Sequence, residues 1–365
     1  QRHDAGAANV GSGAEGLGFR MTVTLLFPRS SNRTMGGTRM NSTHLRLCLL
    51  ATLAVGAAPA ALAIEPIPTT PGWRGFVVLG AGYTDLTSNT VAGNNLIDIG
   101  QPTINSVAQR PQSDDTFHPV VTGEVNYTFG GGWQAFFGTS LEDAVTLDGA
   151  TQLGARKDMA SAGILQGGLL FSGIPTQVWE DPYAEGVRRD ETDRDSAGVR
   201  LEWDRILGSA FDVTFSYRDI SIDTERSGEG VTSVTCDATC RDLLVRDGDQ
   251  YSFDVSYLYR LGEGQRHLVR PMVRYTIDDR DGEAISSDSY RLQLSYVFLG
   301  QGYTVASNLA YVSSSFDARN PIFDARTDTD GLVVDTTLFY RLPIESGRWQ
   351  AVGSVLWGEG DSDVA

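Results

Sequence analysis

The sequence predicts an all-β chain, an antiparallel up-and-down β-barrel that crosses a membrane. Three observations carry that prediction. The first is period-two alternation, clearest between Pro119 and Leu141. There Val121, Gly123, Val125, Tyr127 and Phe129 alternate with Val120, Thr122, Glu124, Asn126 and Thr128. After Gly130-Gly131-Gly132 the apolar set resumes as Trp133, Ala135, Phe137, Thr139 and Leu141. One apolar and one polar face is the mark of a half-buried strand. The second observation is that connections alternate between short glycine-rich turns and long polar loops. The third is the placement of aromatics. Trp73, Phe129, Trp133, Phe171, Trp203, Phe211, Tyr259, Phe298, Tyr303, Tyr340 and Trp349 stand beside short turns. Tyr83, Tyr217, Tyr275, Tyr290 and Tyr311 stand near the opposite strand ends. Two aromatic rings around an apolar band are what a bilayer asks of a barrel.

The N-terminus divides into segments. Met40 opens M-N-S-T-H-L-R-L-C-L-L-A-T-L-A-V-G-A-A-P-A-A-L-A, with His44 and Arg46 before an apolar core from Leu47 to Ala58. Ala61-Leu62-Ala63 has the form of a cleavage site, so residues 40–63 read as a secretory signal peptide cut after Ala63. A transmembrane helix is the bland alternative, but the run is short and ends in small residues. Residues 1–39 carry no periodicity. They read as sequence upstream of a start at Met40, or as a disordered extension. The barrel then occupies residues 64–365.

Pro66, Pro68 and Pro71 lead into a first strand, Trp73 to Thr87. A polar stretch, Ser88 to Thr116, precedes the hairpin at 119–141. Asp143 to Asp158 reads as a second long connection. Met159 to Phe171 reads as a glycine-rich strand, closed by a turn at Gly173 to Thr176. Gln177 to Asp181 is the weakest strand, and the segment after it, from Trp179 to Asp195, is too polar to span. Ala197 to Trp203 and Phe211 to Tyr217 form the next hairpin, followed by a loop from Asp223 to Gly248. Tyr251 to Leu261, His267 to Ile277, Tyr290 to Phe298, Tyr303 to Ser315, Gly331 to Leu342 and Arg348 to Trp357 complete the set. That makes thirteen strands, whereas bacterial barrels have an even number. The first and last would both rise. The expectation is a barrel of about 14 strands with the last, descending one missing beyond Ala365. The strands starting at Trp73 and Arg348 should then face each other as unpaired edges.

Alternation alone leaves open which face is buried. The polar face carries Glu124, Arg200, Glu202, Asp204, Asp254, Arg270, Arg274 and Arg291. So many charges suit a wet lumen better than a soluble core. After the signal no apolar run reaches the ~18 residues of a spanning helix, so any crossing is by strands. A net charge of −17 and a pI of about 4.6 argue against nucleic acid as a partner. The expected partners are outer-membrane lipid and small polar solutes. Arg260, Arg270, Arg274 and Arg291, on three consecutive strands, are expected to form a basic strip at a constriction.

Catalytic and metal signals are weak. His118 and His267 are the only histidines after the signal. The hairpin register puts Ser140 about 13 Å from His118, at about 3.4 Å per residue, too far for a nucleophile and its base. Asp324 to Gly331 resembles a calcium loop faintly but lacks its spacing and its later Glu, so it reads as a solvated acidic loop. No cofactor is expected. Cys48 lies in the signal. Cys236 and Cys240 form C-D-A-T-C, which in an exported protein reads as a loop disulfide. A metal reading would need two further ligands nearby.

Several short pieces go beyond a generic barrel. They are P-G-W-R-G-F at Pro71, G-T-S-L-E-D-A at Gly138, W-E-D-P-Y at Trp179, and R-x-x-T-D-R-D-S-A-G-V-R-L-E-W ending at Trp203. Together they resemble a family of exported Gram-negative proteins catalogued only as a domain of unknown function. The resemblance covers most of residues 64–365. It implies an outer-membrane barrel of uncharacterised role and supplies no catalytic residues. The expected function is a porin-like channel, not an enzyme. The competing readings are a surface structural or adhesive barrel acting through its long loops, and an outer-membrane hydrolase.

Overall fold

The computed structural model describes the backbone of residues 43–54, and residues 66–88, 91–94, 97–109, 112–139, 150–173, 176–344 and 349–362. The segment 1–39, the cleavage site at Ala63 and residues Ser140, Leu141 and Arg348 lie outside the described residues, as do 363–365.

The described strands form one sheet. They begin with β1 (Thr43–Ala54), β2 (Gly72–Thr87), the short β3 (Val91–Asn94) and β4 (Ile97–Asp98), and β5 (Ser113–Gly130). Next come β6 (Trp133–Thr139), β7 (Ala150–Asp158), β8 (Ile164–Ser172), β9 (Thr176–Trp179), β10 (Glu191–Asp204) and β11 (Phe211–Ile222). The remainder are β12 (Gly248–Tyr257) with its continuation β13 (Tyr259–Leu261), β14 (His267–Arg280), β15 (Ser287–Leu299), β16 (Tyr303–Phe316), β17 (Thr329–Arg341) and β18 (Gln350–Ser362). The wall is an antiparallel meander running β2, β5, β6, β7, β8, β10, β11, β12, β14, β15, β16, β17, β18. Short turns join strands at one end, called the lower end, and long loops join them at the upper end.

The hairpin at the three glycines shows why these residues form these elements. Thr128 pairs with Gln134, Tyr127 with Ala135 and Val125 with Phe137, so the two faces stay in step. Gly130, Gly131 and Gly132 all have positive φ, at +90°, +60° and +78°. A side chain there would be strained, so the tight reversal depends on glycine.

Three expectations need correction. Residues 150–158 are not loop but wall strand β7. Its outward positions are Thr151, Leu153, Ala155 and Lys157, and a single large apolar residue among them hides the alternation. Gln177 to Asp181 is not a spanning strand, because β9 extends β8 past a break and pairs with the top of β10. The lower turn is therefore at Met159–Gly163, where Met159 donates to the Gly163 carbonyl at 2.8 Å, and not at Gly173–Thr176. Wall strands also reach higher than the apolar pattern. Residues 194–196 and 218–222 continue the ladder of β10 with β11 above the aromatic belt, where the polar side chains need no apolar face.

The expected bare edges are not seen. β2 and β18 do not pair with each other. Between them lies β1, the apolar stretch read as a signal peptide, antiparallel to both. Leu50, for example, faces Ser354 on one side and Gly82 on the other.

Burial settles the orientation of the wall. The apolar stripe is exposed: Trp73 at 54 %, Leu169 at 55 %, Leu201 at 53 % and Leu292 at 52 %. The polar stripe is covered: Thr128 at 0 %, Gln134 and Gln166 at 6 %, and Asp212 at 4 %. The outer face is greasy and the inner face polar, the reverse of a water-soluble barrel. Aromatic contacts mark both ends of the apolar band. At the lower end Tyr127 touches Trp73 and Phe129, and Tyr257 touches Phe211 and Tyr259. At the upper end Tyr217 meets Tyr251 and Tyr275 meets Tyr290. The upper tyrosines keep their hydroxyls satisfied by carboxylates, Tyr217 donating to Asp249 at 2.8 Å and Tyr311 to Asp330 at 2.7 Å.

Candidate functional site

The inner face carries a row of polar residues that steps from strand to strand in register. Gln134, Arg156, Gln166, Glu202, Thr214, Asp254, Arg274 and Arg291 follow one another from β6 to β15. Glu202, Asp254, Arg274 and Arg291 were expected on this face; Arg156 was not. Arg156 is its best-held member. Its guanidinium donates to both Glu124 oxygens, at 2.8 and 2.6 Å, to Gln134 at 3.1 Å and to Gln166 at 2.5 Å, and it lies 4.0 Å over the Phe136 ring. A bidentate, stacked arginine is fixed in place. Gly138, between Glu124 and Gln152 in the ladder, has no side chain to block the Glu124 carboxylate. Gln166 in turn donates to Glu202 at 3.4 Å. Arg200, Arg156 and Arg270 all act electrostatically on Glu202.

The expected basic strip is broken up. Arg274 is clamped to Asp254 by two bonds of 2.7 Å. Arg270 donates to Ser256 at 2.8 Å and stands 3.8 Å from Asp212. Arg291 faces Arg274 across the β14–β15 ladder. Arg260 is exposed near the lower turn and belongs to no such group. Carboxylates on neighbouring strands thus interleave with the arginines, so the wall alternates in charge. Sequence spacing showed the arginines but could not show which carboxylate each would meet.

The two histidines lie apart. His118 is covered and shares a 3.0 Å hydrogen bond with Thr84. His267 stands at the lower aromatic belt, 2.8 Å from the Tyr296 hydroxyl. In the acidic segment Asp328 accepts from the Phe316 amide at 2.8 Å and Asp324 is exposed beside Arg319. Among the described residues no three His, Cys, Asp or Glu side chains are grouped to hold a metal.

The upper loops hold a second site that the sequence reading passed over. Ile104, Val107, Cys240, Leu244, Ala284 and Ile322 form one buried cluster, flanked by Tyr183, Val234 and Phe323. The six core residues come from four different loops. A fifth, residues 180–190, ties them together. Glu185 is covered and accepts from the Val107 amide at 2.8 Å, the Thr232 amide and hydroxyl at 2.9 and 2.8 Å, and the Ser233 amide at 2.7 Å. Burial alone would raise its pKa, but these four donors outweigh it and hold the carboxyl at about 2. Asp181 accepts from the amides of Gly228 at 3.0 Å and Gly230 at 2.6 Å. Arg189 lies 4.5 Å over the buried Trp179 and donates to the carbonyls of Pro182 and Gln101; burial lowers its pKa to about 10, so it remains a cation. Asn320 donates to the Tyr183 hydroxyl at 3.0 Å. The cysteines close as a disulfide at the short helix α1 (Ala238–Asp242), whose first turn is capped by Asp237. The segment W-E-D-P-Y-A-E-G-V-R-R is too polar to span, yet Asp181, Glu185 and Arg189 within it face backbone amides and carbonyls.

A family described as "Protein of unknown function (DUF2860)" matches residues 72–365. The chain belongs to that family. The match takes in the wall from β2 onward and the DUF2860 loop cluster, including Trp179 to Arg189. No curated protein matches the chain. Solved structures that are similar include OccAB1 of Acinetobacter baumannii, at 9 % identity and TM-score 0.33, covering 88 % of this chain and 96 % of that one. Outer-membrane-expressed OmpT of Vibrio cholerae is similar at 8 % identity and TM-score 0.38, covering 89 % and 99 %. The F5-1 variant of the FrpB iron transporter of Neisseria meningitidis is similar at 14 % identity and TM-score 0.33, covering 88 % and 54 %. These neighbours are Gram-negative outer-membrane proteins, and the likeness concerns the antiparallel strand arrangement alone.

Proposed function

We propose that this DUF2860 chain is a fourteen-stranded outer-membrane barrel that acts as a narrow, charge-lined channel for small polar solutes. The observation that carries the reading is the reversed wall, with exposed Trp73, Leu201 and Leu292 outside and covered Gln134, Gln166 and Asp212 inside. Such an outer face needs lipid, and such an inner face needs water or polar solute. Interleaved pairs such as Arg156 with Glu124 and Arg274 with Asp254 give a lumen with local fields but little net preference. In this orientation the short turns face the periplasm and the disulfide-bearing loop faces the exterior. His118 and His267 have no catalytic role in it.

The fourteenth position follows from strand direction. β2 and β18 both run upward, so only a descending strand can stand between them in an antiparallel wall. β1 fills that position in the chain as it stands. Cleavage after Ala63 would withdraw β1 from that position.

Conductance of the purified protein in planar bilayers tests the function. Discrete steps that scale with salt are expected. Complete silence from folded, membrane-inserted protein would remove the channel reading. The cluster of upper loops favours a second reading, a surface barrel that binds a partner, and silence together with specific cell-surface binding would favour it.

A further inference from the structure

The cluster of upper loops draws on strands that are far apart in the wall. Ile104 and Val107 lie in the connection to β5, and Ala284 lies in the β14–β15 loop. From β5 to β14 there are seven strand spacings, or about 34 Å of wall at ~4.8 Å each. Two residues rooted so far apart share a core only if their loops leave the rim and cross the opening. Hydrogen bonds trace the crossing: the Gly186 amide donates to the Ile104 carbonyl at 2.7 Å, the Ala284 amide to the Leu243 carbonyl at 3.1 Å, and the Ala318 amide to the Glu283 carbonyl at 3.2 Å.

We propose that these loops form a roof that restricts entry to the interior from the upper end, with Glu185 as its keystone. The inference rests on the reading of that interior as a solute path. Glu185 suits the part because one covered carboxylate binds two loops of different origin, at Val107 and at Thr232-Ser233. The loops are in close contact beside it: a Cβ on Gly230 would stand 2.6 Å from the Ala184 Cβ and 3.2 Å from Asp181 Oδ2. A buried hydrogen-bonded carboxylate is costly to strand, so the contact resists thermal opening. The plainer account is that the loops pack for stability and leave a free passage beside them.

A cysteine on the inner wall separates the two. Ser252 lies on the inner face of β12, 3.2 Å from Thr276. The Ser252→Cys protein is expressed in intact cells and treated from outside with a membrane-impermeant maleimide; Cys236 and Cys240 are already joined and do not react. Glu185→Ala is then added, and separately Gly230→Val, which wedges the same loops apart. Heat-modifiable gel migration checks that each barrel is folded. Labelling of the introduced thiol is expected to speed up about tenfold in both variants, because removing buried acceptors or forcing the loops apart lowers the cost of opening. Equal rates in all three folded proteins overturn the roof. The labelling needs no conductance. Faster labelling without any conductance would leave the roof standing and remove the channel, and conductance with unchanged labelling would do the opposite.

Discussion

Two carboxylates, Glu185 in the upper loops and Glu124 on the inner wall, are held by the same means, each accepting from several donors. The folded pKa of Glu185, about 2, lies below its ordinary 4.5. Its contribution is therefore complete above about pH 4.5 and fades as pH falls toward 2. The buried Trp179, under Arg189, reports on the same loops. Its emission, taken as the difference from a Trp179→Phe variant, is expected to shift to the red across that acidic window. In Glu185→Ala the shift should already be present at neutral pH, because a loss on the order of 1–3 kcal/mol accompanies stranded buried donors. A Trp179 signal that does not change with pH would deny Glu185 this role. Glu124 lies on the inner face, along the path of the proposed channel. With Glu124→Gln, Arg156 keeps Gln134 and Gln166 but loses its counter-charge. The reversal potential under a salt gradient is expected to move toward anion preference, and no movement would place Arg156 outside the ion path.

At the scale of single strands, each face makes its own prediction. Val273 is outward and exposed, and Ser252 is inward on the neighbouring strand. Val273→Arg puts a cation against lipid at a cost of about 2–4 kcal/mol and should suppress heat-modifiable, folded protein. Ser252→Arg should be tolerated. Equal damage from both would reverse the wall. Gly198 makes a sharper test of pairing, since a Cβ there would run into the Tyr217 carbonyl oxygen on β11. Gly198→Val should block assembly, whereas Gly353 on β18, which has no positive φ and open space where a Cβ would stand, should accept alanine at small cost. The strands are legible in the sequence wherever both faces are strongly marked, as in 251–261. Legibility fails at β7, where the outward face is Thr151, Leu153, Ala155 and Lys157, too mixed to show a period. It fails again at 180–190, because polarity predicts solvent only when the neighbours are unknown. Arg156 was lost with β7, and Glu185 with the loop. The inner arginines were found by parity, but their partners are set by register across strands, which one strand's sequence does not contain.

For the whole molecule, the position between β2 and β18 is the point on which the reading turns. Leu50→Cys with Ser354→Cys should cross-link in a precursor whose cleavage at Ala63 is blocked, since the two positions face each other. Protein extracted from the outer membrane after normal processing should show no such link. Its persistence there would make residues 43–54 a permanent part of the wall. The loop cluster carries a different consequence. Its surface is assembled from segments separated by well over a hundred residues, such as Ile104 and Ala284. No linear peptide reproduces it, and no half-built wall can bring its pieces together. An antibody selected against this discontinuous epitope on native protein would bind only finished barrels, and so could count completed assembly at the surface of a living cell.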